Sequence, residues 1–79
     1  MEKDMTKKKP VYWTGSLPAT DDFGAPYKTI MIDGVTKIYG SWANMNEHSW
    51  RVHGIGQFGM GKAQMYEKQA DGRWLKIKG

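Results

Sequence analysis

The hydrophobic pattern of this chain is irregular up to Pro26 and then sorts into short runs of β-branched and aromatic residues punctuated by glycine. The segments 27–32 and 35–39 flank Asp33-Gly34, a dipeptide suited to the two positive-φ positions of a type I′ turn, and predict a β-hairpin. The segments 63–68 and 73–78 flank Ala70-Asp71-Gly72 and predict a second hairpin. In its last stretch Trp74, Lys76 and Lys78 alternate with Leu75 and Ile77, the period of two that a strand imposes. Between the hairpins, Gly40 breaks the strand and Ser41 is placed to cap a helix from Trp42 to about His53. The apolar positions of that helix (Trp42, Met45, Trp50, Val52) follow helical spacing only loosely, and Gly54 supplies its stop.

Upstream, Gly15, Pro18, Asp21-Asp22, Gly24 and Pro26 mark irregular structure, in which Val11-Tyr12-Trp13 reads as a short strand or an apolar clip over the core. Residues 1–10 read as a disordered basic tail and 11–79 as one small domain. The fold expected is α+β: two β-hairpins around one helix.

Length changes the picture first. A chain of 79 residues supports one modest core, burying about 60 to 65% of its unfolded surface, which leaves little room for a deep enzymatic cavity. There is no cysteine, so disulfides and thiolate zinc sites are excluded. The core must come from four Trp, four Tyr, two Phe and six Met, with Trp42 and Trp74 the expected core members. The formal charge of +4 is concentrated at the ends, in Lys7, Lys8 and Lys9 and in Arg73, Lys76 and Lys78. That balance favours anionic partners; solvated ends that keep the chain soluble are the plainer reading. No apolar run approaches the roughly 18 residues of a membrane span, and the opening lacks the apolar centre of a secretion signal, so a cytoplasmic protein with no membrane partner is expected.

The segment Gly54-Ile55-Gly56-Gln57-Phe58-Gly59-Met60-Gly61-Lys62 is the main candidate site. Its Gly54-x-Gly56-x-x-Gly59 spacing matches a dinucleotide fingerprint, but it follows a predicted helix instead of joining a strand to one. Gly56-x-x-x-x-Gly61-Lys62 has P-loop spacing, yet Ala63 stands where a Ser or Thr should hold magnesium. What survives is a loop whose N–H groups, with Lys62, Arg51 and nearby Gln57 and Gln64, suit a phosphate or a peptide carboxylate. The alternative is conformational: the glycines turn the chain back over a small sheet and plug Phe58 and Met60 into the core.

No catalytic constellation emerges. Asp21 and Asp22 are adjacent and read as turn residues. His48 and His53 are five apart, not the four that lets two histidines share a zinc on a helix, and no serine has a nucleophile-elbow setting. No enzyme activity and no cofactor are expected.

Four stretches carry a family resemblance: Ile32-Asp33-Gly34-Val35-Thr36-Lys37, Gly40-Ser41-Trp42-Ala43-Asn44-Met45, the segment 53–66 and Gln69-Ala70-Asp71-Gly72-Arg73-Trp74. Together they resemble a group of small, mostly uncharacterised phage and prophage proteins with Gly-Pro-Trp-Ala, Gly-Leu-Gly-Thr-Gly-Lys-Gly-Gln and Asp-Gly-x-Trp elements. The resemblance covers roughly residues 20 to 79. Many members carry two Cys-x-x-Cys pairs, which implies a zinc-ribbon or treble-clef-like site. Those pairs would fall at Thr20 and Phe23 and at Asn46 and Ser49, none of which is a thiolate, so the resemblance implies a metal-free, treble-clef-like member in which packing, with Phe23 a candidate, replaces the metal.

Two functions follow as expectations. One is a basic nucleic-acid-binding module using Arg51, Gly54, Gly56, Gly59, Gly61, Lys62 and Arg73 with neighbouring aromatic rings. The other is a phage-encoded module that binds and modulates a host protein through its aromatic surface.

Overall fold

The computed structural model describes residues 9–79. The predicted tail therefore lies outside the described residues except for Lys9 and Pro10, both exposed. The rest is α+β, a four-stranded antiparallel sheet with one short helix. Strands β1 (Ile30–Val35), β2 (Trp42–Met45), β3 (Ala63–Lys68) and β4 (Trp74–Lys78) stand in the order β2-β1-β3-β4, and α1 (Glu47–His53) connects β2 to the glycine-rich segment.

The second predicted hairpin is present. β3 pairs with β4, and the turn between them closes with Gln69 N–H donating to Arg73 O and Gly72 N–H to Gln69 O, with Gly72 at φ +90°. The first is placed differently. Asp33-Gly34 is not a turn but the middle of β1, paired with Asn44 and Ala43 on one side and with Gln64 and Ala63 on the other. The physical reason is contact: a Cβ on Gly34 would lie 2.7 Å from Trp50 Cζ3 and 2.8 Å from Ala63 Cβ, so only glycine lets the helix sit on the sheet here. The reversal comes later, at residues 37–40, where Gly40 N–H donates to Thr36 O.

The predicted helix starts five residues late. Trp42–Met45 pair with β1 as an edge strand, and the N-cap is Asn46 rather than Ser41, its Oδ1 accepting from Ser49 N–H at 2.8 Å. Asn46 satisfies one of the orphan donors of the first turn. Gly54 does end the helix, donating to Trp50 O.

The two faces of the sheet are covered by different means. On one, Ile32, Met45 and Ala63 pack under Trp50 of α1, with Ile30, Ala43, Ile55, Phe58 and Met65 around them. Trp50, 8% exposed, is the central tryptophan. Trp42 stays largely exposed and Trp74 is only half-buried, contrary to expectation, because Trp42 lies on the edge strand and Trp74 faces the irregular arm. Phe58 packs on Trp50 with centroids 5.2 Å apart, but Met60 is 92% exposed and plugs nothing.

The opposite face buries Met31 and Tyr66 beneath the arm of residues 11–29. Trp13 meets Tyr66 edge-on at 5.5 Å, and Tyr27 meets Trp74 at 5.9 Å. The arm also extends the sheet: Tyr12 bridges to Leu75, Trp13 N–H donates to Trp74 O, and Lys76 N–H donates to Val11 O. Val11-Tyr12-Trp13 is thus a strand-like clip on the outer edge of β4. Burying one side chain the size of Met31 or Ile32 contributes about 1.5 to 3 kcal/mol, so both coverings matter in so small a core.

A polar knot fixes the arm at the other edge. Asp21, 5% exposed, accepts from Phe23 and Ala25 N–H through Oδ1 (2.9 and 2.8 Å) and from Asn46 N–H through Oδ2 (2.9 Å). Burial pushes its carboxyl up, but the Ser49 hydroxyl and these three N–H groups outweigh that and hold it below the usual carboxylate range. Asp22 Oδ2 takes Asn44 N–H at 2.8 Å. Phe23 stacks on His53 with centroids 4.0 Å apart. The stretches 20–23 and 46–49 therefore do meet, around a carboxylate and not around an aromatic ring alone.

Candidate functional site

The residues expected to form one site are dispersed. Gly54 is buried against Trp50, whose ring a Cβ there would overlap, and its N–H is committed to the helix end. Ile55, Gly59, Lys62 and Ala63 also donate within the chain, to Val35, Ala63, Gly59 and Gly59 carbonyls respectively. The N–H groups of Gly56, Gln57, Phe58, Met60 and Gly61 find no acceptor among the described residues. The segment is thus half structural connector and half open loop. Gly56, Gly59 and Gly61 adopt φ values of +81°, +127° and +77°, which side-chain-bearing residues rarely do.

The cations expected beside it lie apart. Lys62 precedes β3 and Arg73 follows the turn after it, so the six residues of β3 separate them by roughly 20 Å. Arg73 is engaged already: Nε donates to Asp71 Oδ2 at 2.8 Å and the guanidinium sits 4.0 Å from the centroid of the Tyr12 ring. Arg51 lines a depression of about 140 Å³ together with Lys28, His48 and the acidic Glu47.

A different basic cluster is assembled instead. Because the clip lies antiparallel on β4, the residues just before it reach the far end of that strand. Lys9, Pro10 and Val11 from the arm, Lys76, Ile77 and Lys78 from β4 and the following Gly79 line an open cleft of about 480 Å³, with no Asp or Glu among its described walls. Lys78 Nζ stands 5.0 Å from the Phe58 ring centroid, which ties this cleft to the glycine-rich loop. A cation held over a ring keeps its charge available on the exposed side. Sequence reasoning noted these lysines as charged ends without making them a site; the clustering of Lys7 to Lys9 and of Arg73, Lys76 and Lys78 was the available signal.

Beneath the arm a second polar feature runs across the sheet, Asn44, Asp33 and Gln64 in register. Burial, then the charge of Asp22, push the Asp33 carboxyl up. Burial, then Asp21, Asp22 and Asp33, push the Tyr27 hydroxyl up to about 12, and that hydroxyl and Trp13 Nε1 have no hydrogen-bond partner among the described residues. Among the described residues no three His, Cys, Asp or Glu side chains come together as a metal site, and no helix is long and apolar enough to cross a membrane.

The class these features define is a small cysteine-free α+β domain with a basic cleft on one sheet edge. No family model matches the sequence, no curated protein matches it, and no solved structure matches it.

Proposed function

We propose that this protein is a small, non-catalytic binding module that takes a polyanion, single-stranded nucleic acid foremost, along the cleft between the arm and β4. The observation that carries this reading is that Lys9, Lys76 and Lys78 all line one open groove, which Gly79 closes at its end and in which no Asp or Glu stands among the described residues. Lysines along a groove offer cations to successive phosphates, and adjacent rings offer stacking that tolerates any base. Phe58 under Lys78 and Tyr12 under Arg73 are the rings on this edge. The free N–H groups of Gly56 and Gly61 would add donors for a phosphate oxygen. The resemblance to phage proteins supplies a setting, the cytoplasm of an infected cell.

Fluorescence anisotropy with a labelled single-stranded oligonucleotide tests this. Binding at low salt that falls at least tenfold in Lys76→Gln/Lys78→Gln, and little in Lys28→Gln, is expected. Equal binding by all three proteins, or none by the unaltered chain, would remove the reading.

A further inference from the structure

The arm covers the sheet incompletely where β3 ends and β4 begins. Past the clip it folds back on itself: Thr20 bridges to Pro26, and Tyr27 N–H donates to Ala19 O at 3.4 Å. Lys68 N–H donates to Thr29 O at 2.8 Å, so the returning limb lies beside the end of β3. Between these pieces is a pocket of about 230 Å³, walled by residues 17–19, Tyr27 and Lys28 from the arm, Lys68 from β3 and Trp74 from β4. Two of its walls are rings. Tyr27 and Trp74 are both half-buried, with centroids 5.9 Å apart and planes at 63°, and together they form a corner. The Tyr27 hydroxyl is itself buried, so Tyr27 gives the pocket its ring and not its oxygen. Lys28 and Lys68 are exposed, neither is in an ion pair among the described residues, and no Asp or Glu joins them in the described walls.

We propose that this pocket is a second binding site and takes a small aromatic anion, a single ring system bearing a carboxylate or a phosphate. Its volume lies below the roughly 300 Å³ at which drug-sized pockets begin, which leaves room for one planar group. A planar ring in the corner between Tyr27 and Trp74 lies along one wall and meets the other edge-on, the two arrangements that aromatic pairs favour. Two unpaired ammonium groups beside that corner attract an acidic substituent and repel an amine. The walls are held in advance: the clip ties one end of the arm to β4, and Asp21 ties the fold-back to Asn46 N–H, so binding has little to order. The site stands independently of the lysine-lined cleft, which lies at the other end of β4.

Nuclear magnetic resonance titration of the full chain with phenylacetate, phenyl phosphate and benzylamine, which share a ring and differ in charge, tests the proposal. The Trp74 indole N–H resonance is expected to shift with the two anions and not with benzylamine, and the tighter anion identifies the acidic group preferred. Lys28→Gln/Lys68→Gln alters only exposed side chains, so the fold is kept. It is expected to weaken both anions about fivefold, the loss that two partly exposed ion pairs allow. Lys76→Gln/Lys78→Gln, in the cleft, is expected to bind them as the unaltered chain does. A Trp74 resonance that neither anion moves would overturn the proposal, as would equal binding of benzylamine. Full affinity in Lys28→Gln/Lys68→Gln, or an equal loss in both double variants, would also overturn it and leave only diffuse attraction to a basic chain.

Discussion

The chain contains the same dipeptide twice, and the two copies have opposite fates. Asp71-Gly72 sits in the β3–β4 turn: Gly72 uses its freedom of φ, a Cβ there would meet nothing within 4 Å, and Asp71 is exposed. Asp33-Gly34 sits in the interior of β1: Gly34 is in ordinary extended backbone, and its missing side chain is the space that Trp50 fills. Asp33 is half-buried under the arm, where Asp71 pairs with Arg73 in water. Glycine thus serves backbone conformation in one copy and close packing in the other, and only the tertiary partner distinguishes them.

Substitution sharpens that contrast. Gly34→Ala forces a methyl group into Trp50 and Ala63 in the middle of the core, and a loss of about 3 kcal/mol is expected, read as a Tm fall of roughly 15 °C. A melt within a few degrees of the unaltered chain would break the comparison. Asp21→Ala, at the knot that anchors the arm, leaves three N–H groups without their acceptor and should remove about 2 to 3 kcal/mol at neutral pH. Its folded carboxyl titrates below the unfolded value, so its contribution is complete above about pH 4 and is lost as pH falls through the folded value. The variant should therefore show a shallower acid transition than the parent in pH-dependent melts.

Gly72→Ala strains a positive φ in open space, and about 1 kcal/mol is expected from denaturant melts. Asp33→Asn carries the opposite sign. The folded carboxyl titrates above the unfolded one, so ionisation disfavours the fold once pH rises past about 4. The amide should raise stability slightly at pH 7, and the gain should vanish in acid. Asp71→Ala is the smallest effect, because its pair with Arg73 is exposed. A Tm change too small to resolve is expected.

The sequence pattern was legible wherever local chemistry decides the outcome. The β3–β4 hairpin has alternation on one arm and a turn glycine, and Gly54 ends α1 as its position suggests. It failed where a distant partner decides. Trp42-Ala43-Asn44-Met45 has no strong strand signal and is drawn into the sheet by pairing with β1, while Asn46, a good capping residue, was overshadowed by Ser41 beside Gly40. Lys62 and Arg73 look near in sequence, yet a strand holds them apart. Lys9 and Lys76 look remote, yet the clip on β4 brings them to one cleft.

Phosphate contact in that cleft shows itself in the salt dependence of oligonucleotide binding. For a single strand, log K against log salt falls with a slope of about −0.7 for each phosphate neutralised, so three lysines predict roughly −2, reduced in magnitude by about 1.4 in Lys76→Gln/Lys78→Gln. A slope near zero, or one that the double substitution leaves unchanged, would contradict it.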